Sequence, residues 1–153
     1  MTLLGSLIII TLAFIFSQSA LPPETSQAES EAVGGIIEEI LPPETPAGAY
    51  VQKNIRKIAH FTEFALLGTE LALFVVLFMK KRWLFALVSY PAALITAFFD
   101  ESIQMFSRRG PSIFDVWIDF SGFFVSASIV YALFFAVTYF LRKKGLNFNG
   151  KNN

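Results

Sequence analysis

The sequence predicts an all-α integral membrane protein, a four-transmembrane-helix bundle with both termini cytoplasmic. Three observations carry that prediction. Hydrophobic residues make up 54% and aromatic residues 16% of the 153-residue chain, and they lie in long runs rather than in alternation, the pattern of membrane spans. Four such runs are separated by polar or charged segments. The basic clusters Lys80-Lys81-Arg82 and Arg142-Lys143-Lys144 fall on one side of a four-span chain, and the positive-inside bias makes that side cytoplasmic.

Residues 3–20 carry no charge and, at about 1.5 Å per helical residue, nearly cross a ~30 Å hydrocarbon core. This first span reads as retained rather than cleaved. Ser17-Gln18-Ser19-Ala20 is small and polar, but no Lys or Arg precedes the apolar run, which also exceeds the usual core of a signal peptide. Residues 21–52 form an acidic, extracytoplasmic loop holding Glu24, Glu29, Glu31, Glu38, Glu39 and Glu44, punctuated by Pro22-Pro23 and Pro42-Pro43. Leu21-Pro22-Pro23-Glu24-Thr25 recurs as Leu41-Pro42-Pro43-Glu44-Thr45. Each copy resembles a sortase sorting signal, but neither has Gly after the Thr or a basic tail after a final span, so both read as Pro-capped turns. Between them, residues 26–41 suit a short helix weakened at Gly34-Gly35. Its apolar Val33, Ile36, Ile37, Ile40 and Leu41 recur at helical spacing, which suits a membrane surface.

The second span is expected over residues 58–79, preceded by Lys53, Arg56 and Lys57. The third covers 84–106, and Pro91 is expected to bend it by removing a backbone donor. The fourth covers 113–141, long enough to tilt or project. Residues 142–153 form a polar, Asn-rich cytoplasmic tail read as disordered. All of this makes one membrane domain over 1–153. Twelve basic and twelve acidic residues cancel, so no global field recruits nucleic acid. The absence of cysteine excludes disulfides, thiolate metal sites and a cysteine nucleophile.

Two polar clusters stand out against this apolar frame. Ionisable groups near a bilayer centre cost of order 2.5 kcal/mol or more each on insertion scales, so several together mark a site. At about 100° per residue, Lys57, His60, Phe61, Phe64 and Gly68 form one helical stripe with Glu63 on its flank. Gly68 lets a neighbouring helix approach closely. Asp100, Glu101 and Gln104 share a face of the third span; Asp115, Asp119, Gly122 and Ser126 share one of the fourth. Four-span topology brings all three stretches to the outer helix ends. The candidate binding residues are therefore Lys57, His60, Glu63, Asp100, Glu101, Gln104, Arg108, Arg109, Asp115 and Asp119.

Plainer roles exist for some of them. Lys57 suits a snorkelling flank residue. Asp115 suits a Ser112-x-x-Asp115 capping box. Arg108 or Arg109 would neutralise nearby acids. Glu70 stands apart, about 20 Å along the helix from Lys57, where it needs a proton or a partner on another helix; no functional role is assigned to it.

At these residues the chain resembles the VanZ family, small bacterial membrane proteins named after a glycopeptide-resistance component. The second-span motif is matched by Arg56-Lys57, His60-Phe61, Phe64 and Leu67-Gly68, with Glu63 matching many members. Phe64 replaces a more usual Tyr, so no phenolic hydroxyl is essential there. The pattern Asp-Glu-x-x-Gln-x-Phe stands as Asp100, Glu101, Gln104 and Phe106; the later motifs stand as Arg109, Asp115-Val116 and Asp119-Phe120-Ser121-Gly122. The turn Ser107-Arg108-Arg109-Gly110 is one residue shorter than the common form, and Arg109 fits the family's arginine better than Arg108. Ser17-Gln18-Ser19 is similar to the end of the family's first span. The resemblance implies a multi-pass protein of the bacterial cell membrane, linked through the founding member to teicoplanin-type resistance.

Three functional readings follow. In the first, a non-enzymatic envelope protein binds the polar group of a membrane lipid, lipid-linked cell-wall precursor or glycopeptide, with Lys57, Arg108 and Arg109 holding phosphate or carboxylate. In the second, a membrane enzyme acts on a lipid-linked substrate, with His60 as acid or base and Asp100 and Glu101 as catalytic partners. The third is a proton-coupled transporter, which would want polar residues through the membrane, whereas apart from Glu70 they gather at one end. No nucleophile elbow, P-loop or zinc spacing is present. A single His with carboxylates could hold a divalent ion completed by waters, but the spacing assigns no metal and no cofactor.

Overall fold

The computed structural model describes residues 2–108, 110 and 112–144. They form five helices: α1 (Thr2–Ser19), α2 (Pro23–Glu38), α3 (Pro46–Phe78), α4 (Arg82–Phe106) and α5 (Ile113–Lys143). The described residues contain no strand. α1, α3, α4 and α5 are long and apolar enough to cross a membrane, which makes this a multi-pass helical membrane protein. The expected disordered tail falls mainly on residues 145–153, outside the described residues.

The proline pairs set where the other helices begin. Pro22 caps α2 and Pro23 occupies its first turn, where a missing N–H costs nothing. In the second copy, Thr45 N–H donates to the Pro42 carbonyl at 3.0 Å. The Thr45 hydroxyl then accepts from Gly48 N–H at 3.0 Å, opening α3 with Pro46 in its first turn. Two expectations change as a result. The segment read as a loop is largely helical, because α3 already begins at Pro46. The short helix begins at Pro23 and runs unbroken through Gly34-Gly35. Gly34 is buried against α3, and its carbonyl accepts from Gln52 Nε2 at 2.9 Å.

α3 and α5 make the most extensive contact in the bundle. Sequence dictates this closeness. A Cβ on Gly68 would overlap Ser126 Oγ and the Phe123 backbone, and one on Gly122 would overlap the Phe61 carbonyl. Backbones meet there because neither residue has a side chain. Fully buried Ala72, Ala97 and Ala127 continue the small-residue packing, and Ile15, Phe64 and Phe123 fill the centre. α4 runs through Pro91. It is tied to α5 by Tyr90 and Ser128 hydroxyls at 2.9 Å and by Ser89 and Tyr131 hydroxyls at 3.3 Å. Large apolar side chains such as Ile9, Phe98, Phe99 and Leu133 point outward, as a lipid-facing surface requires.

Glu70 finds its partner on another helix. Thr11 of α1 donates to its Oε1 at 3.1 Å, and the residue is buried. At the Lys80–Arg82 end, Arg82 Nε donates to the Val76 carbonyl at 2.9 Å and its guanidinium lies 5.3 Å from the centre of the Phe134 ring. The long helices alternate in direction. The end of α1, the first half of α3, the end of α4 and the start of α5 therefore share the opposite end of the bundle.

Candidate functional site

That shared end holds a buried polar cluster. α3 presents Arg56, Lys57 and His60 within one helical turn. His60 Nδ1 lies 3.7 Å from Asp100 Oδ2 on α4 and 3.6 Å from Asp119 Oδ1 on α5. Residues 40 and 59 positions from His60 in sequence thus converge on one ring nitrogen.

Asp100 is held from several sides. Ser19, at the last position of α1, donates to Oδ1 at 2.6 Å, and Gln104 Nε2 donates to Oδ2 at 3.1 Å. Gln104 is fixed in turn by Arg56, whose Nη2 donates to Oε1 at 2.5 Å. Ser107 Oγ donates to the Ser19 carbonyl at 3.0 Å, anchoring α1 to the end of α4. Asp119 contrasts with this. It is 0% exposed, and neither of its carboxylate oxygens receives a hydrogen bond.

Glu101 takes the capping role expected of Asp115. Ser112 caps α5, its hydroxyl accepting from Phe114 N–H at 3.2 Å. The reciprocal half of a capping box would have Asp115 accept from Ser112 N–H. Glu101 Oε1 accepts that bond instead, reaching across from α4. The capping-box reading of Asp115 is therefore corrected: Glu101 of the neighbouring helix takes the Ser112 N–H, and Asp115 faces Lys57 Nζ at 4.0 Å. Lys57 is 54% exposed along its side chain, so this pair contributes little.

A pocket of about 160 Å³ opens onto the cluster, lined by Lys53, Arg56, Lys57, His60, Asp115 and Asp119 among others. Its charge is layered. Three cations stand at the rim, while carboxylates and an imidazole form the floor. The rim can hold an anion, and the floor can hold a cation or exchange a proton. Glu63 borders a second cleft between α1, α2 and α3 that Arg56 and His60 also line.

Of the sequence candidates, Lys57, His60, Asp100, Gln104, Asp115 and Asp119 are brought together, and Glu101 adjoins them through Ser112. Arg108 is not brought to this cluster. It is exposed, adopts the left-handed φ of 60° just beyond α4, and lines a separate depression with Pro22, Pro23 and Glu24. Arg109 lies outside the described residues. Ser19, Lys53 and Arg56 join the site although they are not among the candidates read from the sequence. Arg56 was legible in the basic pair before His60, whereas Ser19 was marked only by the likeness of Ser17-Gln18-Ser19 to the end of the family's first span, which names no carboxylate as its partner.

Fold and site together define a multi-pass helical membrane protein with a His–carboxylate cluster buried at one end of its bundle. The chain belongs to the VanZ/LLP1 family, whose model matches residues 4–137. No curated protein and no solved structure matches it significantly.

Proposed function

We propose that this protein binds the anionic polar group of a membrane lipid or a lipid-linked cell-wall precursor at the extracytoplasmic face of a bacterial cell membrane, and thereby contributes to glycopeptide tolerance. The observation that carries this reading is the pocket itself, with Lys53, Arg56 and Lys57 around its mouth. Basic side chains grip phosphate and carboxylate oxygens through charge-assisted hydrogen bonds. At about 160 Å³, the pocket falls below the ~300 Å³ lower range of drug-sized sites. It suits a phosphate or carboxylate group rather than a whole glycopeptide, so any effect on a glycopeptide is indirect, through the group that the pocket sequesters. Exposed apolar faces on the surrounding helices let the tail of such a ligand remain in the bilayer.

Native mass spectrometry of the full chain released from nanodiscs containing anionic phospholipid tests this directly. Retention of anionic over zwitterionic lipid, lost in an Arg56→Ala, Lys57→Ala double variant, is expected; equal retention by the two proteins would sink the reading. In cells, His60→Ala and Asp100→Asn are expected to fail to restore tolerance to glycopeptides in a deletion strain. The enzymatic reading rests on a different observation, the placement of His60 Nδ1 between two carboxylates, which is an arrangement for moving a proton. It requires lipid or precursor profiles to differ between deletion and complemented strains, and identical profiles would exclude it.

A further inference from the structure

The floor of the pocket poses a charge problem that the rim does not solve. Asp119 is 0% exposed and neither oxygen receives a hydrogen bond. Burying a carboxylate without donors is costly, by several kcal/mol even after relaxation. The adjacent imidazole of His60 faces Asp100 as well as Asp119. Even an imidazolium would leave two carboxylates sharing one positive charge.

The distances suggest what balances them. One ring nitrogen of His60 and one oxygen each from Asp100 and Asp119 lie within 4.8 Å of one another. The two nitrogen-to-oxygen separations of 3.6 and 3.7 Å exceed the ~2.7–3.2 Å of a hydrogen bond. They approach the roughly 3.4 Å edge of a tetrahedron built with metal–ligand bonds of about 2.1 Å. From the juxtaposition of His60, Asp100 and the donor-less Asp119, we infer that these three residues bind a divalent cation, with a coordination position left open toward the pocket.

Three ligands from α3, α4 and α5 sit on rigid helices held together by the α3–α5 crossing. Asp100 has the outer support that ligating carboxylates commonly have: Ser19 on one oxygen and Gln104 on the other. The ligand set selects the ion class. A nitrogen among carboxylates favours Zn²⁺ or Mn²⁺ over the all-oxygen preference of Ca²⁺ and Mg²⁺, and the cysteine-free chain offers no thiolate for softer metals. The inference rests on the anion-binding reading for its consequence: a phosphate or carboxylate oxygen held at the basic rim would complete the metal's coordination.

The full chain in nanodiscs, stripped with EDTA and reloaded separately with Mn²⁺ and Zn²⁺, provides the test. After desalting, elemental analysis is expected to find about one ion per chain in the wild type. Retention in Asp119→Asn should be below about one tenth of that. Ser19→Ala, which keeps all three ligands, is expected to weaken affinity by about 10–100-fold. Wild-type protein that retains no more metal than Asp119→Asn would overturn the inference. If Asp119→Asn does not fold, as judged by its helical circular dichroism, the wild type alone decides. Its Mn²⁺ electron-paramagnetic-resonance spectrum must show nitrogen coupling from an imidazole ligand, and absence of that coupling overturns the inference equally. The two readings fail separately. Metal retained without anionic lipid selectivity removes only the head-group reading, whereas lipid selectivity in a chain that binds no metal removes only the cation.

Discussion

Asp100 shows how a buried carboxylate is made to serve a site. Its Oδ1 takes a 2.6 Å bond from Ser19 and its Oδ2 a 3.1 Å bond from Gln104, so its orientation is fixed by α1 and by the next turn of its own helix. Removing one donor should be felt. Ser19→Ala is expected to cost about 1–2 kcal/mol, between the worth of a hydrogen bond to a charged group in water and the smaller values within membranes; unfolding in mixed detergent micelles measures it. Gln104→Leu should cost more, because it removes a donor to Asp100 Oδ2 and the Oε1 acceptor of Arg56 together. Equal losses for the two variants would show that Arg56 finds another acceptor. Glu70 provides a contrast on the same scale. Gln keeps a carbonyl oxygen that can accept from Thr11, so Glu70→Gln is expected to cost less than Ser19→Ala, read by the same unfolding experiment.

At the level of elements, the crossing of α3 and α5 determines whether the site exists, because it sets His60 beside Asp119. Gly68 and Gly122 each leave no room for a Cβ against the facing helix, and in both cases backbone atoms are among the obstacles. Backbone cannot step aside as a flexible side chain can. Gly122→Leu is therefore expected to cost ~3 kcal/mol or more and to separate His60 from Asp119, so that metal retention and fold stability fall together. An unfolding transition like that of the wild type would show that the helices can part without loss. This crossing was partly legible: Gly68 lay on the same stripe as His60, and Gly122 on the same face as Asp119. Helix starts were less so. Composition made residues 46–52 look like loop, yet a Thr45 cap and a first-turn proline begin α3 well before its apolar run. The cap of α5 was hidden for another reason. Ser112-x-x-Asp115 satisfies a local pattern, but Glu101 of α4 takes the bond, and that competition exists only once the helices have packed.

For the molecule as a whole, the four long helices and their alternating directions follow from apolar runs and their spacing, which is why the architecture could be read before any contact was known. Which end faces outward is a separate matter of charge. Lys80, Lys81, Arg82, Arg142, Lys143 and Lys144 gather toward one end, while Lys53, Arg56 and Lys57 in the first half of α3 and Arg108 beyond α4 stand at the other, with Arg109 next in sequence. The bias toward a cytoplasmic first group is narrow. Three of the opposing residues, Lys53, Arg56 and Lys57, line the pocket, so the proposed anion binding offers a reason for their departure from the rule. The orientation is directly testable because the chain contains no cysteine and needs no background removed. Glu44 and Lys80 are both exposed, at the pocket end and the opposite end respectively. A membrane-impermeant maleimide is expected to label Glu44→Cys in intact cells, and Lys80→Cys only after permeabilisation. The reverse pattern would turn the basic rim toward the cytoplasm. The pocket could then meet only ligands on the inner leaflet, and sequestration of a group at the outer face would no longer be available as a route to glycopeptide tolerance.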